Sequence, residues 1–94
     1  MKGSEKQISW ANDILANINK TYADAENFPA SESTKKALAA QKQAINAAEY
    51  AGDIIDLFGK INFTGDVRHD LPFIVAVFRV VKPNTEGQKK ILMK

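Results

Sequence analysis

Apolar positions in the first quarter of the chain recur at helical spacing. They fall at Ile8, Ala11, Leu15, Ile18, Tyr22 and Ala25, separated by 3, 4, 3, 4 and 3 positions, which is one face of an α-helix. Trp10 and Ile14 widen that face. Ser4 and Gln7 stand in capping-box spacing, so a helix is predicted from Ser4 to about Ala25. It ends near Asn27, because Pro29 turns Phe28 away from helical angles. Glu26 to Glu32 reads as a connection, with Ser31 or Ser33 as the next N-cap. A second stripe, Ala37, Ala40, Ala44, Ala47, Ala51, Ile54 and Phe58, again spaced by 3 and 4, predicts a single helix from Ser33 to Phe58. Leu38, Ile45, Ala48 and Ile55 flank it, and Gly52 lies inside it at a cost of about 1 kcal/mol relative to Ala. Gly59 stands where a left-handed C-terminal residue belongs. Together the two stripes predict an antiparallel helical hairpin, with the small alanines admitting the large side chains of the first helix.

Beyond Gly59 the pattern changes. Ile61 to Asp70 is polar and reads as a loop. Leu71 to Val81 is a nearly unbroken run of β-branched and aromatic residues and predicts a strand, with Pro72 tolerated near its start. Pro83 to Gly87 is turn chemistry, and Gln88 to Met93 predicts the returning strand. A second reading makes Leu71–Val81 a buried helix opened by Asp70 and Pro72, and Gln88–Lys94 a short helix capped through Thr85 and Gln88. The expected fold is therefore α+β: a long N-terminal antiparallel helical hairpin with a C-terminal β-hairpin, and an all-α bundle as the alternative. Its 94 residues make one domain, 1–94.

Composition narrows the function classes. With 45% hydrophobic and 26% charged residues the chain is globular in character. It has no cysteine, which excludes a disulfide scaffold or a thiolate metal site. Met1 to Lys6 carries no apolar segment that would mark it for secretion. The longest apolar run, Leu71 to Phe78, is about half the length of a membrane span. A cytoplasmic location in a bacterial host, away from membranes, is expected. Net charge is +2, unevenly divided. Residues 1–59 hold six Lys against eight acids, net −2, while residues 60–94 hold seven Lys or Arg against three acids, net +4. Arg68, Arg79, Lys82, Lys89 and Lys90 are the candidate partner-binding residues, and they leave an anionic partner or a nucleic acid open.

No catalytic constellation, cofactor motif or metal-ligand spacing is found. The single His69 beside Asp70 does not make a dyad, since sequence neighbours point apart. Asp53 and Asp56 read as a solvated helix face. Trp10 reads as a core residue, with a binding hot spot as its alternative. The expectation is a domain without enzymatic activity.

Gly3-Ser4-Glu5-Lys6-Gln7-Ile8-Ser9-Trp10-Ala11 resembles the opening, G-S-E-K-Q-I-x-W-A, of small uncharacterised proteins carried by phages and mobile elements of Gram-positive and related bacteria. The match covers about the first fifth of the chain, and no such signature follows from Ser31 to Lys94. The resemblance implies a setting in which small proteins bind host proteins, anti-CRISPR inhibitors among them. The expected function is thus a non-catalytic protein-binding inhibitor with a host protein, such as a CRISPR-associated nuclease, as partner. A nucleic-acid-binding accessory protein is the alternative. The slight positive charge speaks against an overall DNA mimic.

Overall fold

The computed structural model describes all 94 residues and contains five helices: α1 (Glu5–Ala25), α2 (Glu32–Asn46), α3 (Ala51–Phe58), α4 (Val67–Val80) and α5 (Glu86–Leu92). There is no strand and no sheet; the one β-type pairing is an isolated bridge between Lys2 and Tyr50. This overturns the expected α+β fold and its C-terminal β-hairpin. The all-α alternative is the architecture found.

α1 forms where the spacing placed it. The Ser4 hydroxyl accepts the Gln7 N–H at 3.1 Å, and the Gln7 side-chain oxygen accepts the Ser4 N–H at 3.0 Å. Two otherwise unpaired backbone donors are thereby satisfied. Its buried face, Ala11, Ile14, Ile18, Tyr22 and Ala25, packs most extensively on α3 and also on α4 and α2. The expected second helix is broken into two. The break at Ala47–Tyr50 has a non-local cause: the chain start returns to it. Lys2 N–H donates to the Glu49 carbonyl at 2.7 Å, and the Ala51 N–H donates to the Lys2 carbonyl at 2.8 Å. Tyr50, the N-cap of α3, offers no side-chain bond, so Lys2 caps the helix instead. Gly3 makes this approach possible; it has φ +150°, and a Cβ there would sit 3.2 Å from the Ala51 side chain. Gly59 ends α3 in the right-handed region and not, as expected, the left-handed one.

α1 and α2 do form an antiparallel hairpin, but its clasp is polar. Asn19 and Asn46 exchange side-chain bonds of 3.0 and 2.8 Å, and the Tyr22 hydroxyl donates to Gln41 at 3.0 Å. Ala40 and Ala47 of the expected close-packed stripe are exposed, and Ala44 is half-buried. The one buried residue of α2 is Ile45, expected only as a flank.

The strand expected over Leu71–Val81 is helix α4. Its signal lies upstream of the apolar run, at Asp66, whose side chain accepts the Arg68 N–H at 2.9 Å as N-cap. The helix continues through Pro72, where the bond to the Arg68 carbonyl is forgone. Burial of Ile74, Val77 and Phe78 in the shared core offsets that loss. α5 is held by a polar seam on α3: the Thr85 hydroxyl donates to Asp53 at 2.8 Å and the Gln88 amide to Asp56 at 2.6 Å. Asp53 is thus buried in a helix dock and not on a solvated face, while Asp56 stays exposed and bonds across the same seam. Gly87 suits this close approach, because a Cβ would press on the Asp53 carboxylate and force it to shift. The shortest dimension of the molecule, 19 Å, is two helices deep. No helix is long and apolar enough to cross a membrane.

Candidate protein-docking surface

α4 is apolar around most of its circumference, yet the core consumes only one face. Ile74, Val77 and Phe78 are buried, and Phe58 meets Phe78 with ring centroids 6.4 Å apart. On the far side Phe73 remains 51% exposed and Val80 75%. His69, Phe73, Ala76 and Val80 fall at spacings of 4, 3 and 4, one stripe along the helix. This stripe faces the end of α3 and the residues after it, Leu57, Lys60 and Ile61, across an open groove of about 410 Å³. Lys60 is the one permanently charged residue in the lining, which contains no carboxylate.

The N-terminal turn of α4 is fixed by a buried carboxylate. Asp70 is 1% exposed and accepts bonds from the Thr64 N–H (3.0 Å), the Thr64 hydroxyl (3.0 Å) and the Gly65 N–H (2.9 Å). Against the expectation that these sequence neighbours point apart, the His69 Nδ1 lies 2.8 Å from its Oδ1. Burial raises the Asp70 pKa, but hydrogen bonds from His69, Thr64 and Gly65 outweigh it and bring the value down to about 2. An ionised carboxylate only accepts, so Nδ1 carries the proton in this contact. The His69 ring also leans on Phe73, with centroids 5.1 Å apart. His69 therefore orders the groove wall.

The five candidate cations are all exposed. Arg68 stands in the first turn of α4, its guanidinium 5.8 Å from the Phe28 ring. Arg79 is in the last turn, about 16 Å away along the axis by helical rise. The structure does not bring these two together. Lys82 follows α4, and the Lys94 ammonium donates to the Val81 carbonyl at 2.8 Å, so Arg79, Lys82 and Lys94 gather at the C-terminal end of α4. Cations are favoured there by the helix dipole. Lys89 pairs with Glu86 at 3.1 Å. Lys90 lies near Glu49, whose carboxyl is held below its ordinary range chiefly by a bond and charge from Lys2, with the charge of Lys90 adding to it.

No protein-family profile, curated protein or solved structure matches this chain. What its residues do follows from their own geometry. Trp10 is 52% exposed and lies outside the core, against the expected core role. It precedes fully buried Ala11 by one position, about 100° around the helix, which puts it at the edge of the buried face. Within the N-terminal motif, Gly3, Ser4, Gln7 and Ala11 have structural tasks, while Trp10 is left facing solvent. Sequence reasoning missed the α4 stripe altogether. Its signal was the absence of polar residues over Leu71–Phe78, which is more apolar surface than a small core absorbs from one helix.

Proposed function

We propose that this protein is a non-catalytic protein-binding module, and specifically an inhibitor of the kind carried by phages and mobile elements, acting in the cytoplasm of a bacterial host. The observation that carries the binding reading is the exposed apolar stripe of α4, with Phe73 and Val80 open to solvent beside a groove. Contiguous exposed apolar surface on a small protein marks an interaction site. The N-terminal motif supports the mobile-element setting, and an anti-CRISPR inhibitor of a CRISPR nuclease is the concrete form the reading takes. The non-catalytic part rests on the sequence, which carries no cysteine nucleophile, cofactor motif or metal-ligand spacing.

The test is affinity capture from a bacterial host lysate, with and without nuclease treatment. The expected result is a defined protein partner that survives nuclease and is lost with Val80→Asp. Recovery of nucleic acid alone, lost when Lys82, Lys89 and Lys90 become Ala, sinks the proposal.

A further inference from the structure

We infer that the occupant of the α4 groove is an amphipathic α-helix of the partner protein, with apolar anchors about one turn apart and acidic residues along its flanks. This deepens the docking reading and rests on it. Shape is the first ground. His69 to Val80 spans 11 positions, or about 16 Å of helix, three turns. One wall of the groove is this helical stripe, and Leu57, Lys60 and Ile61 form the other. A helix laid between such walls sets anchors at i, i+3 or i+4, and i+7 into the gap. A partner strand added by backbone pairing would need a sheet edge, and the fold has no sheet.

Charge is the second ground. The lining holds Lys60 and no carboxylate, while Arg79 and Lys82 stand at the C-terminal end of the stripe. Lys60, Arg79 and Lys82 make no ion pair within the chain. The negative end of the α4 dipole is itself covered by Lys94. A partner that buries this apolar stripe brings its own flanks against unpaired cations, so acidic flanks complement them and basic flanks repel. The same charges disfavour a second copy of this chain, because a two-fold contact would set each positive rim against itself.

Two synthetic peptides of about 18 residues test this; they share one leucine stripe at helical spacing and differ only in Glu or Lys flanks. Each is titrated into the full chain with amide NMR shifts as the readout. The Glu peptide is expected to shift Lys60, His69, Phe73 and Val80, and to bind about tenfold or more tighter than the Lys peptide. Added salt should narrow that difference. Lys60→Glu with Lys82→Glu should reverse the preference, and Val80→Asp should remove binding without lowering the melting temperature. Equal affinities, shifts confined to α1 and α2, tighter binding of a DNA duplex, or dimerisation through α4 would each overturn the inference. Failure of the two readings is distinguishable. A captured partner that depends on Val80 but presents no helix overturns this inference and leaves docking at α4 standing. Capture that is indifferent to Val80→Asp overturns both.

Discussion

α2 and α4 are of similar length, 15 and 14 residues, and stand at opposite extremes. α2 buries one residue, Ile45, and is held by an Asn–Asn exchange and a Tyr–Gln bond. α4 buries Asp70, Ile74, Val77 and Phe78 and still leaves Phe73 and Val80 in solvent. A helix poor in apolar surface needs directional polar bonds to fix its place. One with apolar surface to spare is fixed by its core face, and its remainder stays exposed. In this protein the buried core contacts and the exposed apolar stripe lie on two faces of one helix.

The largest effect should come from the core face. Ile74→Ala removes a fully buried side chain and should cost about 2–5 kcal/mol in denaturant unfolding. A loss below about 1 kcal/mol would mean that α4 is not anchored through the core. Acid should come next. The folded Asp70 pKa of about 2 lies below the ordinary value of 3.8, so its stabilisation is complete above pH 5 or so and fades as pH falls towards 2. The contribution is about 2 kcal/mol, and Asp70→Asn should flatten that part of the pH–stability profile. Unfolding curves at stepped pH for both chains check this; identical acid slopes would contradict it. On α2, Asn19→Ala and Asn46→Ala should each cost about 0.5–1.5 kcal/mol and the double variant no more than either, since each single change already breaks the exchange. Full additivity would show that the clasp is not a coupled unit. Smallest of all, Val80→Ser on α4 and Ala40→Leu on α2 should leave stability within about 0.5 kcal/mol. Only Val80→Ser should weaken partner capture, which places the difference between the helices in binding and not in folding.

How much of this was legible in the sequence depended on whether each cause was local. α1 was readable because its cap, Ser4 and Gln7, and its 3–4 periodicity lie within one segment. The capping pair Thr85 and Gln88 was equally local, and it forms: the Thr85 hydroxyl accepts the Gln88 N–H at 3.0 Å. α4 misled because Val, Ile and Phe fill both faces, so the run carries neither a helical nor an alternating period. The deciding residue, Asp66, sat in what read as loop. The α2–α3 break was invisible for another reason. Ala44, Ala47, Ala48 and Ala51 are helix formers throughout, and the interruption comes from Lys2. Of the candidate cations, Arg79 and Lys82 stand at the end of the apolar stripe, whereas Lys60 in the groove lining was not among them, and the stripe itself depends on which face of α4 the core takes. That is settled only by packing against α1 and α3.

The return of Lys2 to Tyr50 also has a consequence for folding. These residues are 48 positions apart, and closing a loop of that length costs about 3–4 kcal/mol of chain entropy before any contact repays it. Contacts within α1 and within the hairpin close far shorter loops, so they can form while the chain start is still free. The latch that splits α2 from α3 is then expected to lock after the α1–α2 hairpin. Gly3→Ala, which crowds Gln7 and Ala51 and strains a positive φ, should accordingly speed unfolding and leave the folding rate nearly unchanged. Stopped-flow rates would show the reverse if the latch were part of the nucleus.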